Sequence, residues 1–246
     1  VPTFGDLSYH DDGSGEPVVF LHNSLTSHEI FPLGNYRALR LDFRAHGDNQ
    51  KVIHQMHAEQ LAVDVIAMVD HARVERFTIV GSSIGATVAL LVAERHPDRV
   101  ARLILMGVNA EKATPLERLS MGAVAALVER TGAFDFYVSR ALPLLFSKHT
   151  PASIQKPWAE HIKRYDRRAL AAAMRCWINR PQLIERATRI QAPTTLLAGV
   201  DDTSCPPANA RKLVMPNASL QLVERAGHML PLERPEVLAA LIQRGA

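Results

Sequence analysis

Gly81-Ser82-Ser83-Ile84-Gly85 has the form G-x-S-x-G, between an apolar run at 77–81 and an Ala-, Leu- and Val-rich stretch at 84–95. A strand entering and a helix leaving so tight a turn would hold Ser83 in a strained backbone conformation with its hydroxyl projecting. Glycines two positions away on either side leave room for that turn. The first turn of the helix would aim free N–H groups at any negative charge formed there. The chemistry this suits is nucleophilic attack by Ser83. Ser82 offers the neighbouring hydroxyl but lacks both flanking glycines, and the bland alternative is a serine that only makes a turn or caps a helix.

A serine hydroxyl is a weak nucleophile until a base takes its proton. His228 lies in Arg225-Ala226-Gly227-His228-Met229, directly after the apolar run 220–224, and imidazole titrates near neutrality. Most of the ten other histidines lie in helical patterns or early loops. An orienting carboxylate is expected between the two, in Gly199-Val200-Asp201-Asp202-Thr203. Asp201 and Asp202 compete. Spacing from the strand end favours Asp202, and the other would then be a solvated turn residue. Ser, Asp, His is one of the chain orders in which such a triad is built.

These groups need a scaffold that brings three distant loops together. Apolar runs at 18–22, 36–42, 77–81, 102–107, 194–199 and 220–224 read as strands, and helical patterns at 59–72, 84–95 and 235–243 alternate with them. That alternation predicts an α/β fold with a mostly parallel sheet covered on both faces. From about 108 to 190 the pattern is helical only, at 117–130, 133–146, 151–164 and 168–178, with Pro143, Pro151, Pro157 and Pro181 as punctuation. This divides the chain into a core, 1–107 with 191–246, and a helical cap insertion, 108–190. Met121-Gly122-Ala123 suits a plain helix better than a hinge.

Length and composition fit one such domain: 246 residues, 47% hydrophobic and 22% charged, with a formal charge of +3. The basic residues are scattered, Lys163 to Arg168 being the one local cluster, which argues against nucleic acid as a partner. No run of 18 apolar residues occurs, so no membrane span is expected. Two cysteines, Cys176 and Cys205, make neither a disulfide scaffold nor a zinc site, and a reducing, cytoplasmic setting is the expectation. No basic-then-apolar leader is visible after Val1; without an initiator methionine, a removed leader stays open. Cys176 reads as a packed thiol, and Cys205 has no placed base.

The chain resembles the α/β-hydrolase fold superfamily, and within it the small serine esterases, enol-lactone hydrolases and cofactor-free haloperoxidase-like enzymes. Four stretches carry the resemblance: Phe20 to Leu25, Asp42-Phe43-Arg44-Ala45-His46-Gly47, the Ser83 turn, and Gly199 to Pro206 with Gly227 to Pro235. The family pattern G-x-x-D-x-x-x-P fits Gly199, Asp202 and Pro206, which favours Asp202. The ending G-H-x-x-x-x-E-x-P fits Gly227, His228, Glu233 and Pro235. The resemblance implies a central sheet with a helical cap, and an oxyanion hole from the backbone N–H groups of Ser24 and Ile84. His22 would orient the loop from beneath. It implies no cofactor and no metal.

The implied activity is hydrolysis of a small carboxylic ester or lactone through an acyl-enzyme. The alternatives are a carbon–carbon bond hydrolase of the same fold, or a non-catalytic ligand-binding or receptor protein that keeps the triad. Side activity as a perhydrolase or haloperoxidase is compatible with the same residues, and a homo-oligomer stays open. His22-Asn23, where the family commonly has His-Gly, leans toward the lactonases; Asn23 in a left-handed turn explains it equally well. His22 and Asn35 lie 13 positions apart, about eight residues short of the family: either the loop is truly shortened, which would open the mouth of the site, or residues are missing from the sequence between them. Ala45 stands where the family has its first glycine. Among the cap's cations, Arg140, Lys148, Arg164 or Arg175 facing inward would suit a substrate carboxylate. Its aromatic residues, Phe134, Phe136, Tyr137, Phe146, Trp158 and Trp177, are expected mostly to form the cap's own core.

Overall fold

Eight strands form one sheet in the computed structural model, which describes residues 1–243. They are β1 (Thr3–Phe4), β2 (Leu7–Asp12), β3 (Pro17–Leu21), β4 (Arg37–Leu41), β5 (Phe77–Ser82), β6 (Val100–Met106), β7 (Thr194–Gly199) and β8 (Ala218–Val223). Their order is β1-β2-β4-β3-β5-β6-β7-β8. All pairs from β4 to β8 are parallel, and β1 and β2 join as an antiparallel edge. Each apolar run of the sequence forms a strand. The hairpin of β1 and β2 has no such run: only Leu7 and Tyr9 alternate inward, against Ser8, His10 and two aspartates.

Strand periodicity sends alternate side chains to opposite faces. Val19, Leu21, Leu39, Ile79, Leu103 and Leu196 pack under α1 (Ala58–His71) and α2 (Ile84–Arg95). Val18, Phe20, Val80, Ile104 and Leu197 face the other way, toward Leu238 and Ile242 of α10 (Pro235–Gln243). On that second face, parallel neighbours β3 and β4 are joined without a crossover α-helix, the usual device. Residues 22–36 run as a continuous loop holding one 3₁₀ turn, His28–Ile30. Phe31 and Tyr36 cover the strand in the helix's place, their rings 5.0 and 5.6 Å from that of Phe20. Aromatic packing therefore closes this short connection over the sheet.

Between β6 and β7 the chain builds the cap from α3 (Pro115–Thr131), α4 (Phe134–Leu145), α5 (Ala152–Lys163), α6 (Arg167–Ile178) and the short α7 (Ile184–Ala187). Thr114 and Glu117 form a reciprocal capping box at the start of α3, and Gly132 ends it in the left-handed region at φ +66°. Gly122 lies inside α3 and a Cβ there would sit 3.9 Å from Ile178, an ordinary helix contact. Phe146, Trp158, Ile162 and Leu170 make a core of the cap's own, seated on Leu25 and Met229 of the sheet domain. Pro143 and Pro157 fall inside α4 and α5 and not between elements. Burial of Trp158 and Ile162 on the same helix offsets the hydrogen bond that Pro157 cannot make.

Candidate active site

One residue separates β5 from α2. Ser83 has φ +54° and ψ −114°, and its N–H donates to Met106 O at 2.9 Å, pinning the turn to β6. The flanking glycines are required by close backbone approach. A Cβ on Gly85 would fall 2.1 Å from Leu21 O, and one on Gly81 would fall 2.6 Å from Gly85 O. The start of α2 therefore lies against the end of β3, where the loop carrying Ser24 begins. The N–H groups of Ser24 and Ile84 donate no hydrogen bond among the described residues.

Two further loops meet this turn. His228 Nδ1 lies 2.8 Å from Asp202 Oδ2, and Asp202 Oδ1 accepts the N–H groups of Ser204 at 2.9 Å and Cys205 at 2.7 Å. A carboxylate accepts the Nδ1 proton, so in the neutral ring Nε2 keeps its lone pair. Ser83, Asp202 and His228 are all buried. Ser83 Oγ and His228 Nε2 share no hydrogen bond here; both residues border one cavity of about 80 Å³, and such contacts are commonly loose without substrate. Burial alone would push the His228 pKa down, but the Asp202 carboxylate and then the Cys205 sulfur outweigh it and hold the pKa well above its ordinary value.

Asp201 is not the solvated turn residue expected of the unchosen carboxylate. It is half-buried and accepts the Ser147 hydroxyl, while its N–H donates to Ala226 O at 2.9 Å. Cys176 is the packed thiol expected, its pKa pushed up to about 12 by burial.

The loop under the cavity is held by a set of histidines. His22 Nε2 accepts the Phe43 N–H at 2.9 Å, and its Nδ1 reaches Asn23 O at 2.8 Å. It is buried and orients the loop from below. Asn23 is not the left-handed residue; Leu25 is, at φ +67°. Asn23 instead donates to Met229 Sδ at 2.9 Å and accepts from Thr26, tying the loop to the residue after His228. Burial, reinforced by His22, lowers the His46 pKa to about 3, so that ring stays neutral. His28 Nδ1 lies 2.8 Å from Asp42 Oδ2, and His10 Nε2 lies 3.0 Å from Asp48 Oδ2. These two imidazoles stack at 3.7 Å with 23° between planes. Near-parallel rings share no in-plane point close to both nitrogens, so a single ion could not take both lone pairs without the stack opening.

The cavity at Ser83 opens into an outer chamber of about 540 Å³, and the two share Met121, Tyr137, Leu145, Met174, Trp177 and Ser204 as walls. Phe134, Phe146 and Trp158 belong to the cap's core, whereas Phe136, Tyr137 and Trp177 line the chambers. Of the four cap cations, Arg140 alone lines the outer chamber, 5.6 Å from the Phe136 ring centroid. Arg175 pairs with Glu129, and Lys148 and Arg164 are exposed elsewhere. Sequence reasoning missed Arg180. It is buried, stacks 4.1 Å from the Trp177 ring and donates to Glu111 O at 2.8 Å and Trp177 O at 3.1 Å, which fixes that wall. It missed Gly107 as well, although a glycine closing an apolar run was a visible signal.

Comparison with known proteins decides the family. The description "alpha/beta hydrolase fold" matches residues 16–235. This chain belongs to the α/β-hydrolase fold family. Among curated proteins, this α/β hydrolase is 27% identical over 266 residues to 2-hydroxy-6-oxo-6-phenylhexa-2,4-dienoate hydrolase of Burkholderia cepacia, covering 96% of this chain and 89% of that one. It is 24% identical over 257 residues to pyrrolizixenacetamide deacetylase of Xenorhabdus hominickii, covering 96% and 93%. Among solved structures, a thermophilic esterase from Thermogutta terrifontis superposes with a TM-score of 0.89 at 25% identity, covering 97% and 92%. The enol-lactonase of Burkholderia xenovorans gives 0.84 at 22% identity, covering 97% and 95%, a likeness of fold alone. The chain is an enzyme of this fold, a hydrolase of small organic compounds. No helix among the described residues is long and apolar enough to cross a membrane.

Proposed function

We propose that this enzyme is a serine hydrolase that cleaves a small carboxylic ester or lactone. The observation that carries this reading is the strained Ser83, at φ +54°, bordering the same small cavity as His228, whose other nitrogen is held by Asp202 at 2.8 Å. His228 Nε2 takes the Ser83 proton as Oγ attacks the carbonyl carbon. Asp202 keeps the imidazole in its Nδ1–H tautomer and stabilises the imidazolium. The free N–H groups of Ser24 and Ile84 receive the oxyanion; one such donor contributes about 3 kcal/mol to the barrier reduction. The leaving alcohol takes the proton from His228, and water repeats the attack on the acyl-enzyme. The walls beside Ser83 offer hydroxyl, amide and apolar groups, which suits a compact, uncharged acyl group.

A second reading is carbon–carbon hydrolysis of an oxo-dienoate. Two observations favour it: relatives matched over most of their length are named as hydrolases of such an oxo-dienoate, and Arg140 lines the outer chamber, where it could meet a distal carboxylate. Turnover of a panel of 4-nitrophenyl acyl esters, small lactones and a 2-hydroxy-6-oxodienoate, beside Ser83→Ala, tests both. Ester or lactone turnover lost in Ser83→Ala upholds the first reading. Turnover of the dienoate alone replaces it with the second.

A further inference from the structure

We propose that Glu233 is the positioning residue of His228, and that it does this by clasping the base loop to the cap. The inference rests on the reading of His228 as the base. Glu233 is buried at 5% exposure at the end of α9 (Leu230–Glu233). One carboxylate oxygen, Oε2, accepts the Gly227 N–H at 2.9 Å, one residue before His228. The other, Oε1, accepts the Ser147 N–H at 2.8 Å and the Thr150 hydroxyl, both in the cap segment that leaves α4. The same segment reaches the base directly, since Leu145 O accepts the N–H groups of His228 at 2.8 Å and Met229 at 3.2 Å. It also reaches the acid loop through the Ser147 hydroxyl on Asp201 and the Thr203 hydroxyl on Leu144 O.

The contact leaves no slack. A Cβ on Gly227 would fall 2.5 Å from Ser147 N and 2.8 Å from Leu145 O. Three donors converge on one buried carboxylate, one from the base loop and two from the cap, so neither side can shift without leaving a donor unpaired. The segment that seats the cap is therefore the segment that places the imidazole.

Glu233→Gln isolates this. Glutamine keeps the shape but turns one oxygen into an NH₂ donor, which must then face the N–H of Gly227 or that of Ser147. Thr150→Val removes the cap-side hydroxyl alone and serves as a milder variant should Glu233→Gln not fold. Amide hydrogen exchange and NMR titration of the His228 ring read the clasp without any substrate, and 4-nitrophenyl acetate reads its consequence. In Glu233→Gln, exchange at Gly227, His228 and Ser147 should quicken about tenfold, with altered titration of the His228 ring. kcat should fall about 10- to 100-fold while KM stays within about threefold, with partial recovery in Glu233→Asp and a smaller loss in Thr150→Val. Unchanged exchange and ring titration overturn the proposal, as does a kcat loss matched by an equal rise in KM. A wild-type protein inert toward the ester refutes the esterase reading instead, and exchange with the ring titration then decides the clasp alone.

Discussion

Gly107 lies flat against the imidazole of His228: a Cβ on Gly107 would fall 2.8 Å from both Nδ1 and Cε1, and 3.4 Å from Asp202 Oδ2. It occupies the left-handed region at φ +53°, and its N–H donates to Leu197 O at 3.2 Å. Backbone geometry and the ring's seat thus both demand glycine. Gly107→Ala should lose about 2 kcal/mol of stability from the strained conformation. Its kcat should fall by about 100-fold, because the displaced ring no longer aligns with Ser83. Urea unfolding beside steady-state kinetics checks both numbers, and an alanine variant with wild-type kcat would show the ring has room to spare.

Asp202 and Asp201 are neighbours with separable roles. Asp202 touches the imidazole, whereas Asp201 holds the Ser147 hydroxyl. Asp202→Asn should lower kcat by about 10⁴-fold, since an amide can hold the imidazole in the wrong tautomer. Asp201→Asn should cost less than about tenfold, as one partly exposed hydrogen bond is weakened. Parallel kinetics of the two variants decides it; equal losses would mean the acid role is shared.

The pH profile should carry the mark of the His228–Asp202 pair. Only neutral imidazole accepts the Ser83 proton, and the carboxylate holds the His228 pKa well above its ordinary value despite burial. The acid limb of kcat/KM should therefore have its midpoint above about pH 6.5, with activity rising as pH increases through it. In Asp202→Asn the burial remains and the larger of the two raising charges is gone, so the His228 pKa should fall from its raised value, as NMR titration of the ring would show.

Much of this arrangement was legible in the sequence because the sheet imposes a strong local pattern. Buried parallel strands are near-continuous apolar runs, and the loops at their carboxyl ends hold Ser83, Asp202 and His228. Asp202 was distinguishable from Asp201 by its spacing from Gly199. The N-terminal hairpin was not legible, because an edge strand with two inward residues has almost no periodicity. Ser147 and Arg180 act through folded contacts that nothing local marks: Ser147 joins cap to core, and Arg180 braces Trp177 within the cap; Gly107 closes an apolar run, but its contact with His228 forms only across the sheet. The direction of Arg140 was likewise undecidable from periodicity, since α4 has both a chamber side and a solvent side.

His28 and Asp42 should make stability depend on pH in two directions. For Asp42, burial would raise the pKa, but hydrogen bonding from His28 and the charges of His22 and His28 hold it well below the carboxylate range. Its contribution is therefore present above about pH 4 and lost as pH falls toward the depressed value. For His28, burial is outweighed by Asp42, which raises the pKa. That contribution is complete below about pH 6.5 and fades as pH climbs through the raised value. Stability from the pair should thus be fullest between about pH 4 and 6.5. Asp42→Asn should destabilise by about 3 kcal/mol in that window, because the half-buried His28 ring and the N–H groups of His28 and Asp48 lose their buried charged acceptor. Thermal melts across pH 3 to 9, wild type against variant, measure it; parallel curves would mean the pair does not set the pH dependence.

Arg140 should act on one class of substrate only. It stands among Phe136, Leu144 and Trp177 in the outer chamber, without a carboxylate partner among the described residues. An ester whose leaving group ends in a carboxylate would place that charge near the guanidinium while its carbonyl sits at Ser83. Arg140→Gln should then raise KM for the anionic ester by about five- to tenfold with kcat unchanged, the pattern of binding lost equally from ground and transition states. The neutral ester of the same length should be unaffected. The effect should shrink at high salt, because the side chain is exposed and its field is screened. Equal KM changes for both esters would assign Arg140 to the shape of the chamber and not to its charge.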